Sequence, residues 1–269
     1  MKRILAFVLL AVMLVGMLAS CGGNQYKNLV IVDLGIEREY FGIAFRSGSD
    51  MTRKVEDITL DLIKEGKLEK LSKQYEVGAV GEADYVPKAD PCTGSGDWDY
   101  IKNKGTLVIG ITDYKPMDYK EGDEWVGFDA DYARAVCKEL GVEPVFKEIE
   151  WDNKLIALAA KDIDCVWNGM TITEAIENAA DCTAAYMYNT QVAVVKKDNA
   201  EKYKDIASIA GASIACESGS AGEKVVKDNA SLVGGLKAVT AQTDALLEVL
   251  SGASEVAIVD LTLAKALIG

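Results

Sequence analysis

The 269-residue chain carries 29 lysines and arginines against 42 aspartates and glutamates, has a formal net charge of −13 and contains no histidine. The missing histidine excludes Ser-His-Asp and Cys-His catalysis and the usual zinc constellations. The acidic excess opposes a nucleic-acid partner, because phosphate backbones are gripped by cations.

Residues 1–21 read as a lipoprotein signal peptide. Lys2 and Arg3 form its charged start, and Ile4 to Met17 form an apolar run too short to span a bilayer comfortably. Leu18-Ala19-Ser20-Cys21 matches a lipobox, which makes Cys21 the expected lipidation site. The expectation is therefore a chain held at the extracellular face of the cell membrane (the periplasmic side in a Gram-negative cell) by its lipid alone.

Short apolar runs follow, as buried parallel strands require: Leu29–Val32, Ile43–Phe45, Leu107–Ile111, Cys165–Trp167, Val192–Val195, Ser213–Cys216 and Val256–Val259. Helical patterns alternate with them. Met51, Val55, Ile58 and Leu62 form one stripe, with Ser49 or Asp50 placed to cap it and Gly66 separating a second short helix that reaches Tyr75. Phe128–Leu140 and Ala241–Leu250 repeat the design, and the alternation predicts α/β architecture. Residues 76–97, with four glycines and two prolines, break the rhythm and read as a surface linker. Cys92, Cys137, Cys165, Cys182 and Cys216 show no C-x-x-C spacing, which speaks against a metal site. Cys165 and Cys182 could pair only if their strands are neighbours, and buried free thiols are the expectation.

The stretch Glu39–Tyr75, EYFGIAFRSGSDMTRKVEDITLDLIKEGKLEKLSKQY, resembles the closing segment of extracellular solute-binding proteins of the polar amino-acid type, which feed ABC importers. Gly105–Gly269 resembles the body of that family, and Lys161–Thr173, KDIDCVWNGMTIT, its strand-to-helix motif. The resemblance implies a two-lobed periplasmic-binding-protein-like fold of type II, with its segments in circularly permuted order. Residues 22–36 would supply a strand completing lobe 2, residues 37–75 the C-terminal part of lobe 1, and residues 76–97 the join between the old termini. Residues 98–195 would form the main part of lobe 1 and residues 196–269 that of lobe 2, with hinge crossings near Gly35–Gly42 and Gln191–Lys197.

The same resemblance implies a ligand site with no cofactor, no metal and no catalytic residue. Tyr114 and Trp151 stand where relatives sandwich the ligand side chain. Asn168, Gly169, Met170 and Thr171 turn into a helix, where a glycine permits close backbone approach and amides attract a carboxylate. In the other lobe, Ser218 and Ser220 lie in a small-residue loop that lacks the lysine of a phosphate-binding loop. Asp260, after the strand Val256–Val259, matches the family's acid for an α-ammonium group and could also cap the helix that follows. One departure is plain: Ile176 stands where the family has the arginine that clamps a carboxylate, and no lysine or arginine lies between Lys161 and Lys196. Either amides and hydroxyls hold the carboxylate, or the ligand is not a standard amino acid, or binding is lost. The expected function is monomeric capture of an amino-acid-like solute for an ABC permease. The alternatives are a binding-deficient sensor or interaction protein and a dehydratase-like enzyme using Glu150, Asp113 or Glu217.

Overall fold

The computed structural model describes residues 24–88 and 96–269. The signal peptide with Cys21, and Cys92, lie outside the described residues. In chain order the strands are β1 (Leu29–Val32), β2 (Glu39–Phe41), β3 (Ala44–Arg46), β4 (Thr106–Ile111), β5 (Tyr119–Glu121), β6 (Glu124–Val126), β7 (Glu143–Glu148), β8 (Cys165–Val166), β9 (Ala180–Cys182), β10 (Met187–Asn189), β11 (Gln191–Lys196), β12 (Ile214–Glu217), β13 (Leu236–Val239) and β14 (Val256–Asp260). The helices are α1 (Met51–Lys64), α2 (Lys67–Tyr75), α3 (Asp97–Lys104), α4 (Phe128–Leu140), α5 (Lys154–Ala159), α6 (Glu174–Glu177), α7 (Ala221–Asp228), α8 (Gln242–Ser251) and α9 (Leu261–Ile268). Among the described residues no helix is long and apolar enough to cross a membrane.

Two five-stranded sheets form the two lobes, in the orders β7-β4-β8-β3-β9 and β1-β11-β14-β12-β13. The sheets are mixed rather than parallel. β4 runs parallel to β7 and β8, and β12 parallel to β13 and β14. β3 runs antiparallel to β8 and β9, and β11 antiparallel to β1 and β14. Parallel neighbours need a long crossover, whereas β3 and β11 directly follow the crossing strands β2 and β10. Cys165 and Cys182 lie on β8 and β9, which β3 separates, and both are free buried thiols together with Cys137 and Cys216.

The early strand β1 is the edge of the second sheet, in the register Leu29↔Lys196 to Val32↔Ala193. It covers a row of backbone groups on β11 that would otherwise be exposed. α9 packs on β1, and the Asn24 side-chain amide donates to the Leu267 carbonyl at 2.8 Å. The first lobe is likewise closed by contacts distant in sequence. Arg46 on β3 pairs with Asp97 at the start of α3 (3.0 Å) and donates to the Ile163 carbonyl (2.9 Å). Glu56 on α1 accepts from the amides of Ala184 (2.7 Å) and Lys88 (3.1 Å). Asp50 does not cap α1 with its side chain; its carboxylate accepts the Trp98 amide instead, while the Ser49 hydroxyl takes the Met51 amide.

Two crossings join the lobes, and they pair with each other. β2 and β10 form an antiparallel ribbon in the register Met187↔Phe41, Tyr188↔Tyr40 and Asn189↔Glu39. The second crossing therefore precedes Gln191–Lys197, and β11, expected partly within the first lobe, belongs wholly to the second sheet. Its run Val192–Val195 is buried along its length, as a strand with neighbours on both edges must be. The Thr190 hydroxyl clips the crossings by donating to the Ile36 carbonyl at 2.9 Å. Residues 76–88 are more tightly held than a linker, since Val80 donates to Tyr186 (2.8 Å) and Tyr85 is buried. Three apolar side chains, Val77, Val80 and Tyr85, overrode the polar composition there.

Leu29 is 1 % exposed and belongs to the core that includes Val192, Val194 and Leu263. Leu29→Ala is expected to lower stability by about 2–4 kcal/mol in denaturant unfolding, as a buried leucine deletion does. A loss below about 0.5 kcal/mol would show that β1 is not part of the cooperative fold.

Candidate functional site

Strand ends and the turns after them face each other across a cavity of about 390 Å³ between the lobes, within the range of small-ligand pockets. On the first-lobe wall, Asn168, Gly169, Met170 and Thr171 line the cavity beside Tyr114, Trp151 and Ile176. The turn is locked from behind. The Asn168 carbonyl oxygen accepts the Thr112 amide and hydroxyl at 2.7 Å each, and its amide donates to Asp118 at 2.8 Å. Gly169, at φ +56°, donates its N–H to Asp129 at 2.7 Å. A Cβ on Gly169 would lie 2.7 Å from the Tyr114 ring, so the glycine is required by that ring. Burial and the neighbouring carboxylates push Asp118 upward, and burial pushes Asp129 up to about 7.

The second-lobe wall centres on Asp260, which is buried at the end of β14. Its side chain does not cap α9; side-chain amides enclose it instead. Asn189 donates at 2.7 Å and Gln191 at 2.5 Å to one oxygen, and Gln242 at 2.6 Å to the other. The same Asn189 and Gln191 amides donate to Glu39 of the crossing strand at 2.6 and 2.7 Å. Two carboxyls drawn together this way cannot both ionise readily. Burial first, and Asp260 second, push Glu39 from 4.5 up to about 8, while burial raises Asp260 against the lowering effect of its amide donors. Both carboxyls are thus pushed upward, and the pair holds a proton more tightly than free carboxylates would. The Tyr114 hydroxyl points toward this pair, has no hydrogen-bond partner of normal geometry, and is pushed upward by burial and by Asp260.

Glu217, at the end of β12, also lines the cavity, and burial pushes it up to about 8. Ser220 lines it too, with its hydroxyl engaged in capping α7 by accepting the Glu223 amide at 3.1 Å. Ser218 does not line this cavity. Its amide bonds the Val239 carbonyl, and it sits in a shallower recess with Asp152, Thr240 and the far side of Trp151.

The lobes touch. Lys154 donates to the Trp151 carbonyl (3.1 Å) and, across the cleft, to the Gly219 carbonyl (3.0 Å), and its ammonium lies 4.7 Å from the centre of the Trp151 ring. A Cβ on Gly219 would lie 2.9 Å from the Asp152 Cα, so glycine is what lets the loop approach this closely. Glu39, Asn189, Gln191, Gln242 and Lys154 were not singled out by sequence. The one available signal was polar residues bounding otherwise apolar strands, as Gln191 bounds Val192–Val195.

Residues 107–266 match the family described as bacterial extracellular solute-binding proteins, family 3. The chain is 35% identical over 115 residues to the arginine-binding extracellular protein ArtP of Bacillus subtilis, covering 42% of this chain and 45% of the relative. It is 30% identical over 131 residues to the L-cystine-binding protein TcyJ of Escherichia coli, covering 48% and 49%. The chain thus spans about half the length of these curated relatives. Among solved structures, the arginine-bound ArgBP from T. maritima superposes with a TM-score of 0.60 at 30% identity, covering 62% of this chain and 79% of that one. The ancestral amino acid-binding protein AncCDT-1, a precursor of cyclohexadienyl dehydratase, gives 0.59 at 34% identity, covering 62% and 75%.

The proton on Glu39 has a consequence for stability. Between its unfolded value of 4.5 and its folded value of about 8, the native chain keeps a proton that the unfolded chain has released. Stability of the unliganded protein is therefore expected to fall as pH rises through that window, by up to about 1.4 kcal/mol per pH unit for such a group. Glu39→Gln is expected to flatten the slope in urea titrations at pH 5, 6.5 and 8. An unchanged slope would show that Glu39 titrates normally.

Proposed function

We propose that this protein is the solute receptor of an ABC importer, and the premise is its family: the chain belongs to the bacterial extracellular solute-binding proteins, family 3. One observation carries the reading. Asp260, buried at a strand end of one lobe, and Tyr114 of the other lobe line one cavity between the lobes. A cavity between two lobes can hold a small solute, and the paired crossings β2 and β10 offer a hinge for its release. An amino acid or related compound is the solute class that ArtP, TcyJ and ArgBP suggest by their names. The permease is the partner, the cell exterior the compartment, and the Cys21 lipid the tether.

The same geometry favours binding over chemistry. Asp260 is fixed by three amide donors and serves as a stationary charge rather than a proton carrier. A circularly permuted segment order fits the family as well. Matches in chain order begin at residue 107, and the part of each lobe they leave out is filled here by residues 29–75.

Thermal-shift measurements over the common amino acids and their derivatives test the receptor reading, since a ligand stabilises the form that binds it. At least one solute is expected to raise Tm by several degrees at millimolar concentration. Asp260→Ala is expected to remove the shift, with about 30-fold or greater loss of affinity for a buried charge partner. A folded protein that no solute shifts would overturn the assignment, and turnover of a solute would replace it with an enzyme. A rearranged chain that starts at Asp97 and joins Gly269 to Asn24 is expected to fold and bind like the natural order. Failure to fold would count against the permuted reading.

A further inference from the structure

Backbone register brings two acids together at the hinge. Glu39 lies opposite Asn189 in the ribbon of β2 and β10, and Asp260 lies opposite Gln191 where β11 pairs with β14. Each of the two amides uses both of its N–H groups on the pair. Asn189 donates to Glu39 at 2.6 Å and to Asp260 at 2.7 Å, and Gln191 donates to the same two oxygens at 2.7 and 2.5 Å. Gln242 adds a fifth bond, to the other Asp260 oxygen, at 2.6 Å. These donors are dipoles. Among the described residues no lysine or arginine forms an ion pair with either acid.

The titratable groups that face the pair add no positive charge in contact with it. Tyr114 approaches from the first lobe with Asp129 behind it, and burial holds its hydroxyl well above the usual value. Glu217 acts on Asp260 from the end of β12, and its own neighbours include Asp244 and, across the cleft, the Lys154 ammonium. Lys154 itself is held by the carbonyls of Trp151 and Gly219. Two ionised carboxylates at the hinge would therefore carry a negative charge that dipoles alone must balance. A single proton on the pair removes half of it. Burial first and Asp260 second push Glu39 up to about 8, and burial raises Asp260, in keeping with a retained proton. Of the two acids Asp260 lines the cavity and Glu39 does not. A solute cation beside Asp260 meets the pair from its open side and supplies the positive charge that the proton supplied before.

We infer that solute capture is coupled to proton release: the Glu39–Asp260 pair holds one proton in the unliganded protein, and the cationic group of the solute takes its place. The inference rests on the receptor reading and adds how that site responds to pH. One positive charge enters and one leaves. The proton goes to solvent and not to the solute, so capture remains binding without chemistry. The unliganded form is the one that holds the proton. Solute affinity therefore rises as pH rises from 4.5 toward about 8, and it falls as the surroundings acidify.

Isothermal titration of the full chain counts the proton. The common amino acids, and any derivative that raises Tm, are added singly at pH 6.5 in phosphate and in bis-Tris, two buffers whose heats of ionisation differ. A solute that binds is expected to release about 0.5–1 proton, and its affinity to rise about fivefold or more from pH 5.5 to pH 7. Binding heat that is the same in both buffers, or proton uptake, overturns the inference while leaving the receptor reading in place. If no solute binds, the receptor reading fails and takes the inference with it. Glu39→Gln keeps an oxygen for the two amides and has no proton to titrate, so the variant is expected to fold and to release less than half as many protons. Unchanged release in the variant overturns the inference, because the proton then comes from another acid such as Glu217. If the variant does not fold, the buffer dependence of the parent decides alone.

Discussion

Asp260 and Glu39 are two carboxyl groups brought together by the same pair of side-chain amides, those of Asn189 and Gln191. The four residues come from different places: the end of the last strand of one lobe, the two crossing strands, and the head of β11. Like charges so placed would repel, and burial would penalise both. The arrangement is supported by the upward shift of both carboxyls, which lets the pair share a proton, and by three amides that point at Asp260. Removing any one amide would leave the buried Asp260 with two donors in place of three. The hinge ribbon, the second sheet and the cleft floor are consequently fixed by one hydrogen-bonded unit.

What that unit does for the cleft follows from its rigidity. Asp260 cannot swing to meet a ligand, so whatever binds must come to it, with Tyr114 positioned across the gap by its packing on Gly169. Glu217 differs in kind: equally buried, it has no hydrogen bonds to hold its charge. Burial pushes the Glu217 carboxyl up to about 8, with the Lys154 ammonium acting in the opposite sense.

Much of this was legible in the sequence, for reasons that can be named. Asp260 stood out because a fully apolar run ended on an acid, and β1, β4 and β14 were clear from their valines and isoleucines. β7 and β13 were not, because edge strands such as Glu143–Glu148 and Leu236–Val239 face solvent in part and lack a continuous apolar run. The amides around Asp260 were illegible for a different reason. A lone Asn or Gln beside a strand is common, and only the fold reveals that three of them, Asn189, Gln191 and Gln242, converge on two carboxyls. Gly169 was legible as a place of close approach, but the group approaching is the Tyr114 ring. The backbone amides of the two small-residue turns seemed free to hold a carboxylate. Internal acids, Asp129 and Glu223, occupy two of them, and sequence spacing gives no sign of that.

The order of segments along the chain matters less than their contacts. The first lobe is held by Arg46 against Asp97 and Ile163 and by Glu56 against Ala184, bonds that link residues 46–56 to residues 97–184 without regard to which comes first. The second lobe is completed by β1 through a register that only the geometry of β11 dictates. A closed chain cut at a different surface point keeps all of these interactions and changes the loop-closure entropies, which vary slowly with length. Asn24 lies against Leu267, in the lobe that holds Asp260, and the lobe carrying Tyr114 and Trp151 meets that lobe through the paired crossings and the Lys154–Gly219 contact. Any opening of the cleft about β2 and β10 would break the contact between Lys154 and Gly219.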